Sequence, residues 1–185
     1  MRHGCVVIVS GPPGAGKTTV SRLLAQHSPA ERSVHLHSDD YYACILKGFI
    51  APWRAEADHQ NIAINEAVTA SAASYARSGY EVVVDGVIGP WLLEPWSALS
   101  ASGIDVRYVV LRADQHTTLL RAVSRRAPGA LIDPEVIRSM WHKFAELGAY
   151  EAHALVSTAH TVAETAALLR RRLDAGDHRL AAAVR

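Results

Sequence analysis

The sequence predicts an α/β fold, in which a parallel β-sheet carries helices on both of its faces. Two observations lead to this prediction. Short apolar runs of strand length alternate along the chain with stretches in which apolar residues recur at helical spacing. A glycine-rich segment also joins the first such run to the first helical stretch, as in the βα units of parallel sheets. Helices between successive strands supply the long crossover connections that parallel strands require.

The first strand, loop and helix form the most specific motif in the chain. Residues 5–9 are an apolar run, which is typical of a strand buried on both faces, and residues 19–27 have helical spacing. Between them, residues 11–18 have the sequence Gly-Pro-Pro-Gly-Ala-Gly-Lys-Thr and match the P-loop pattern G-x-x-x-x-G-K-[S/T] in full. The backbone N–H groups of such a loop, together with the N-terminus of the next helix, surround the β-phosphate of a nucleotide.

The P-loop predicts that the chain binds a nucleoside triphosphate. Lys17 is expected to neutralise oxygens of the β- and γ-phosphates, and the hydroxyl of Thr18 is expected to bind Mg²⁺. The residues expected to contact the nucleotide in this segment are Gly11, Pro12, Pro13, Gly14, Ala15, Gly16, Lys17, Thr18 and Thr19.

The later elements continue the alternation. Strands are expected at residues 33–37, 80–84, 105–111 and 154–157, which are short and rich in apolar side chains. Helices are expected at residues 41–46, 61–77, 90–100, 117–126, 134–147 and 161–173. Gly79 ends the helix before it, and Pro128 and Gly129 separate two others. We therefore expect a single domain over residues 1–175 and a flexible tail over residues 176–185.

Composition argues against several classes of partner. The chain has 19 Lys and Arg residues against 18 Asp and Glu residues, so its net charge does not favour nucleic acid or an anionic membrane. Its apolar runs are far shorter than the ~20 residues needed to span a bilayer. The first residues lack a secretory h-region, and Cys5 and Cys44 form no CxxC pair. We expect a cytoplasmic protein with Cys5 as a buried thiol.

Two large classes of P-loop protein do not fit the sequence. A GTPase would carry the base-recognition motif N-K-x-D, which the chain lacks. A motor or transporter ATPase would usually have an Asp-Glu pair at the end of the strand beside the P-loop strand, whereas Gly86 follows Asp85 here.

What remains resembles the compact P-loop kinases of small molecules, which include adenylate-, shikimate- and gluconate-kinase-like and chloramphenicol-phosphotransferase-like proteins. The resemblance covers about residues 5–173 and is carried by the P-loop, the acidic end of the second strand and an arginine-rich helix. It implies a three-layer P-loop NTPase fold with five parallel strands in the order 2-3-1-4-5. It also implies transfer of the γ-phosphoryl group of ATP, with Mg²⁺, to a hydroxyl of a small polar molecule such as a sugar acid, a metabolite or an antibiotic. No nucleic-acid or membrane partner is expected, and a homodimer is left open.

The same resemblance assigns roles to carboxylates at strand ends, where ligands of open α/β sheets bind. Asp39 follows the second strand and would accept the proton of the substrate hydroxyl, with the adjacent Asp40 as the alternative base or a substrate contact. Either carboxylate could instead cap the next helix. Asp85 would hold a Mg²⁺-bound water near Thr18 or contact the substrate, unless it caps a turn. Gly86, like the nearby Gly89, would let the backbone approach the substrate.

The arginine-rich helix is expected to complete the phosphate site. Arg121 and Arg125 are four residues apart and would share one helical face. By resemblance, Arg121 would pack against the adenine and Arg125 would contact the transferring phosphate, with Arg126 as a second clamp. Residues 127–133 would then form a very short lid. The alternative is a solvated basic face without a ligand.

The acceptor site is expected around residues 47–61, which resemble the acceptor-binding insertion of gluconate-type kinases. Polar candidates there are Lys47, Arg54, His59, Gln60 and Asn61, and aromatic candidates in and near it are Tyr41, Tyr42, Trp53, Trp91 and Trp96. Arg54 would bind an anionic group of the acceptor or form a surface salt bridge. His35 and His37 alternate along the second strand and are expected to pack, although His37 lies near the site.

A function of a different class is also compatible with the sequence. A nucleotide-binding regulator or weak ATPase would use the P-loop to switch a partner interface, and Asp39 would then only cap a helix.

Overall fold

The computed structural model describes residues 4–126 and 130–181. Its strands form one sheet in the order β2-β3-β1-β4-β5, and all neighbouring strands are parallel. They are β1 (Cys5–Ser10), β2 (Ser33–His37), β3 (Glu81–Asp85), β4 (Asp105–Arg112) and β5 (Ala154–Val156). The predicted fold class and strand order are confirmed.

Helices connect the strands and cover both faces of the sheet. They are α1 (Lys17–Gln26), α2 (Ser38–Ala43), α3 (Asp58–Arg77), α4 (Glu94–Ala101), α5 (Gln115–Val123), α6 (Pro134–His142) and α7 (Val162–Asp174). Short 3₁₀ turns lie at Ala55–Ala57, Pro90–Leu92 and Gly148–His153. Among the described helices, none has both the length and the hydropathy that crossing a bilayer requires.

Some helix boundaries differ from the sequence prediction. The predicted helix 90–100 is a 3₁₀ turn followed by α4, and α2 begins three residues earlier than expected, directly at the end of β2. The predicted helix 134–147 ends at His142, where tight turns follow: the N–H of Phe144 donates to Trp141 at 2.9 Å and that of Ala145 donates to His142 at 3.2 Å. These i→i+3 bonds end the helix and direct the chain back toward the sheet.

The core lies on both faces of the central strands. Along β1, Val6 and Ile8 pack on one face with α3 and α4, while Val7 and Val9 pack on the other with α1 and α7. This alternation follows from the two-residue period of a strand. Burial on both faces explains why β1 and β3 are continuous apolar runs.

The N-terminal edge of the sheet, opposite the P-loop, is closed by an ion pair. Arg170 of α7 donates to both carboxylate oxygens of the buried Glu81, at 2.8 Å each. The thiol of Cys5 lies beside them, 3.8 Å from Glu81. Burial and the nearby charge of Glu81 raise the pKa of Cys5 to about 12, so this partly buried cysteine stays a protonated thiol.

The first residues of the segment predicted to be a flexible tail pack against β4. The carbonyl of His178 accepts from Tyr108 at 2.9 Å, the N–H of Leu180 donates to Val106 at 2.8 Å, and Leu180 is buried. Since β5 pairs only with residues 110–112, the first half of β4 has a free edge that this segment occupies. Residues 182–185 of the predicted tail lie outside the described residues.

Candidate functional site

The P-loop runs from the end of β1 to the start of α1 in a conformation that requires glycine. Gly14 and Gly16 have φ angles of 89° and 88°, in the left-handed region. A Cβ atom at Gly14 would lie 2.2 Å from the carbonyl oxygen of Thr118, so α5 packs directly on the loop. The first turn of α1 contains no acidic residue and no capping side chain, which leaves its positive end available to an anion.

Lys17 lies buried at the centre of this loop. Its Nζ donates to the carbonyl oxygen of Pro12 at 3.0 Å. Burial lowers the pKa of Lys17 to about 8, against the opposing effect of Asp85, while Arg125 lowers it further and Asp39 raises it. Asp39, Asp85 and Arg125 come from three separate segments, and all of them therefore lie near enough to Lys17 to shift its pKa.

Thr18 and Asp85, the two predicted magnesium residues, lie together. The hydroxyl of Thr18 donates to Oδ2 of Asp85 at 2.7 Å, and Asp85 is fully buried at the end of β3. A hydroxyl and a carboxylate are oxygen ligands of the kind that Mg²⁺ prefers, so this donor set fits the metal.

Two histidines of β2 hold Asp85 from the other side, and this contact was not predicted from the sequence. Nε2 of His35 lies 2.5 Å from Oδ1 of Asp85, and Nδ1 of His37 lies 3.1 Å from Oδ2. Burial would raise the pKa of Asp85, but these hydrogen bonds outweigh it and keep the pKa below its usual range. The signal was the two-residue spacing of the histidines on a strand whose neighbour ends in Asp85.

Asp39 and Asp40 occupy different environments. Asp39 lines the wall of a large cavity that begins at the P-loop, whereas Asp40 does not line it. The side chain of Asp39 is 75% exposed, and its Oδ2 lies 3.4 Å from Nε2 of His37. Helix α2 begins at Ser38, before both carboxylates, and no side-chain hydrogen bond caps it. The capping alternative therefore lacks the hydrogen bond that defines a cap.

The glycines after β3 make room for side chains of the protein itself. Gly86 lines the large cavity, but a Cβ atom there would come within 2.4 Å of the hydroxyl of Ser38. A Cβ atom at Gly89 would lie 2.2 Å from the indole ring of Trp91. These close contacts account for both glycines without a substrate.

The prediction that Arg121 and Arg125 share one helical face is wrong. Helix α5 ends at Val123, and the N–H of Arg125 donates to Ala122 at 3.3 Å in a tight turn beyond the helix. Both arginines nevertheless line one cavity beside the P-loop. Residues 127–129 of the predicted lid lie outside the described residues, while residues 130 and 131 line the large cavity.

A smaller cavity, of about 410 Å³, lies beside the P-loop. Its wall combines Gly14 and Gly16 with Arg121 and with residues between β5 and α7, among them Ser157 and His160. Residues 157–161 had no predicted binding role, although they lie at the end of the last strand and so at the same edge of the sheet.

The larger cavity, about 1280 Å³, extends from Lys17, Thr18 and Asp39. It lies between the α2–α3 connection, α3, the β3–α4 connection and α6, and it includes part of the predicted acceptor region. The two cavities share Gly16, Thr19 and Arg125 in their walls, so they meet at the P-loop.

Predicted acceptor residues divide into those that line the large cavity and those that do not. Tyr42, Trp53, Arg54, Asn61 and Trp91 line it. Lys47, His59 and Gln60 do not, Tyr41 packs against the core, and Trp96 is fully buried in it. Arg54 was predicted either to bind an anionic group of the acceptor or to form a surface salt bridge. It forms such a salt bridge, with its Nε 3.5 Å from Oε2 of Glu56.

Comparisons with known proteins agree with this architecture. A family model described as an AAA domain matches residues 6–147, which is more than half of the chain. The APS kinase of Mycobacterium tuberculosis, solved with AMPPNP and APS, is similar with a TM-score of 0.68 at 16% identity, covering 94% of this chain and 99% of that one. No curated protein sequence matches.

Two further solved structures have the same fold. A sugar kinase from Janibacter sp. has a TM-score of 0.65 at 14% identity over 92% of this chain and 95% of its own. The tunicamycin resistance protein of Deinococcus radiodurans has a TM-score of 0.65 at 14% identity over 95% and 98%. At such identities the likeness shows the fold alone, a parallel sheet in the order 2-3-1-4-5 with a P-loop after its first strand.

Proposed function

Because the chain belongs to the AAA domain family, whose model matches residues 6–147, and has the fold of P-loop kinases, we propose that it is an ATP-dependent phosphotransferase. In this proposal it transfers the γ-phosphoryl group of ATP to a hydroxyl of a small molecule. The observation that carries the proposal is the large cavity that opens at Lys17 and Thr18 and has the carboxylate of Asp39 in its wall. A P-loop that only bound nucleotide would have no need of such a second compartment.

The nucleotide end uses the P-loop and the smaller cavity. The N–H groups of residues 11–18 and Lys17 would bind the β- and γ-phosphates, as in other P-loop proteins. Thr18 and Asp85 would hold Mg²⁺, which supplies positive charge to the phosphate oxygens when bound. The smaller cavity, with Arg121 in its wall, would receive the adenosine part. Support for an adenine nucleotide comes from the APS kinase of similar fold, which was solved with AMPPNP.

Asp39 is the base in this proposal. The acceptor oxygen attacks the γ-phosphorus and a new P–O bond forms, while the bond to the β–γ bridging oxygen breaks and ADP leaves. The hydroxyl proton passes to Asp39, because an alcohol becomes a competent nucleophile only as its proton departs. Arg125 lies in the walls of both cavities and would stabilise the charge on the transferring group.

The histidines of β2 would keep this arrangement in place. His37 contacts Asp85 through one ring nitrogen and Asp39 through the other, so it links the magnesium end to the acceptor end. A ring held on both sides has little freedom to rotate, which restrains the carboxylate of Asp39 near the P-loop.

Turnover of ATP with and without acceptors tests the proposal. Phosphorus NMR should show ADP formed together with a new phosphate ester when an accepted alcohol is present, and slow turnover without one. Release of inorganic phosphate at a rate that no alcohol changes would contradict the proposal and favour a regulatory or weak ATPase.

A further inference from the structure

We infer that the acceptor is an alcohol whose hydroxyl is carried on an aromatic or otherwise apolar ring body, rather than a polyhydroxylated sugar acid. The inference rests on the proposed phosphoryl transfer, since it concerns the compartment that adjoins Asp39.

The acceptor end of the large cavity is the part lined by the α2–α3 connection, α3 and the β3–α4 connection. Many of the polar side chains there already form hydrogen bonds within the protein. The hydroxyl of Tyr42 donates to Oδ1 of Asn61 at 2.8 Å, and Nδ2 of Asn61 donates to the carbonyl oxygen of Pro52 at 2.9 Å. Gln60, which does not line the cavity, accepts from the N–H of Ile50 at 2.9 Å and donates to its carbonyl oxygen at 2.7 Å. These bonds tie the 50–52 segment to α3, and a polyol would have to compete with them.

The deeper polar groups are engaged in the same way. Asn65 accepts from the indole N–H of Trp96 at 2.9 Å and donates to the carbonyl oxygen of Leu92 at 2.8 Å. Arg54 pairs with Glu56 at the surface, with Nε 3.5 Å from the carboxylate. Apart from Asp58, Glu135, Ser139 and Lys143, most of the remaining wall is supplied by aromatic and aliphatic side chains.

Trp91 is held as a fixed aromatic platform in that wall. Its ring packs against Gly89, where a Cβ atom would come within 2.2 Å of it. Phe144 lies behind it with ring centroids 5.6 Å apart, and the ammonium of Lys143 lies 5.8 Å from the ring centroid. Trp91 is nevertheless 54% exposed, so a large part of a positioned ring faces outward.

Two further exposed aromatic residues line the same cavity. Trp53 is 42% exposed and Phe49 is 51% exposed, both on the α2–α3 connection that Asn61 and Gln60 anchor. Exposed aromatic side chains that line a cavity rather than a convex surface indicate a ligand that covers them. A volume of about 1280 Å³ leaves room for a ring body beyond the phosphoryl group.

Charge argues against a polyanionic occupant such as an oligonucleotide, whose bases would also stack on indole rings. The cavity wall has three carboxylates, Asp39, Asp58 and Glu135, beside four cationic side chains, Lys17, Arg54, Arg125 and Lys143. This near balance does not provide the continuous basic surface that a phosphate backbone requires. The net charge of the whole chain is only +1, so there is no general attraction to compensate.

Matched alcohols that differ only in the ring body test the inference. Benzyl β-D-glucoside would be compared with methyl β-D-glucoside, and 3-phenyl-1,2-propanediol with glycerol, by calorimetric binding in the presence of AMPPNP and by phosphate-ester formation with ATP. We expect the ring compound of each pair to bind at least about tenfold more tightly, which is 1.4 kcal/mol. A 5′-hydroxyl oligonucleotide serves as the polyanionic probe.

Substitutions at Trp91 test whether this side chain causes the preference for the ring compounds. Trp91→Ala should reduce the preference for the ring compound about tenfold, and Trp91→Phe, which keeps an aromatic ring and serves if the alanine variant does not fold, should retain most of it. The control is Tyr75→Ala, which removes an aromatic side chain that is 40% exposed on α3 but lies outside the cavity, and it should leave the preference unchanged.

The outcomes separate this inference from the proposed function. Phosphoryl transfer to glycerol or methyl glucoside without a ring preference would overturn the inference and leave the kinase proposal standing. A ring preference in binding without transfer to any alcohol would support the apolar-bodied ligand and overturn the kinase proposal. Failure of both ring compounds to bind, or tighter binding of the oligonucleotide than of either, would overturn the inference.

Discussion

The two ends of the large cavity are built in opposite ways. At the P-loop end, Lys17 and Asp85 are buried charged groups held by short bonds to the backbone, to Thr18 and to the β2 histidines. At the acceptor end, polar side chains bond to loop carbonyls and amides, and aromatic rings such as Trp91 face outward. The P-loop end therefore offers fixed charges, which suit the phosphates present in every nucleotide. The acceptor end offers mainly apolar surface, which suits only ligands of a matching shape. Changes at the P-loop end should therefore affect every acceptor alike, while changes at the acceptor end should depend on the acceptor.

The largest effect is expected at Lys17. Lys17→Met removes a buried positive charge from the phosphate site, and we expect turnover to fall about 10³-fold with any acceptor, because the charge of the transferring group loses its counter-charge. Steady-state turnover with two unlike acceptors measures this, and circular dichroism melting checks the fold. Near-normal turnover in a folded variant, or a loss confined to one acceptor, would break the distinction between the two ends.

Asp39 lies where the two ends meet, and its replacement should have the next largest effect. Asp39→Asn keeps the shape of the side chain but cannot accept a proton, so we expect turnover to fall about 10²-fold while AMPPNP affinity stays the same. Asp40→Asn is the matched control, because Asp40 is the neighbouring carboxylate outside the cavity wall. A loss of turnover with Asp40→Asn alone would reverse the roles, and no loss with either variant would place the base elsewhere.

Arg125 and Arg121 separate catalysis from nucleotide binding. Arg125 lines both cavities, so Arg125→Ala should lower the turnover number roughly 30-fold with little change in the affinity for AMPPNP, because its contact strengthens as the phosphoryl group transfers. Arg121 lines only the smaller cavity, so Arg121→Ala should mainly raise the apparent KM for ATP. Kinetics and calorimetry of both variants decide this. Unchanged parameters in both would mean that neither arginine meets the nucleotide.

The smallest effect is a pH dependence of nucleotide binding. The pKa of Lys17 is lowered from 10.5 to about 8 by burial, so in the free protein Lys17 loses its proton as the pH rises through this value. Phosphates bind the charged form, and binding above pH 8 must therefore take up a proton, which should weaken AMPPNP affinity about tenfold between pH 7 and pH 9. Calorimetry in buffers of different ionisation enthalpy measures the uptake.

The control for the pH effect is Lys17→Arg, whose guanidinium stays charged over this range. Its affinity for AMPPNP should stay nearly constant from pH 7 to pH 9, and an equal weakening in this variant would assign the pH dependence to another group.

Much of the P-loop end could be predicted from the sequence. Residues 11–18 are consecutive, and their glycines impose the loop conformation locally, so a short pattern was enough to identify them. The association of Thr18 with Asp85 also followed once the strand order was known, because parallel strands end at one edge of the sheet. Which ligands these residues bind stays a prediction.

Other features depended on contacts between distant segments and could not be predicted from the sequence. The end of α5 at Val123 placed Arg125 in a turn, and the helical pattern of the sequence did not show where that helix would stop. The partners of Gln60 and Asn61 are backbone groups of residues 50 and 52, so side chains that suggested a polar acceptor site instead anchor a loop. The segment before Leu180 likewise packs on β4 because the short β5 leaves an edge uncovered.

By itself, the sequence determined the parallel α/β fold, the order of its elements and the P-loop, because each depends on local conformation or on the periodic burial of consecutive residues. The tertiary structure alone decided that His35 and His37 hold Asp85 and that Asp39 rather than Asp40 lines the cavity. It also decided which of the predicted aromatic residues line the cavity, as Trp91 does, and which are buried in the core, as Trp96 is. Each of these depends on which polar groups find partners across the fold. Residue type shows that a side chain can form a hydrogen bond, and only the packed chain shows whether that bond is already made.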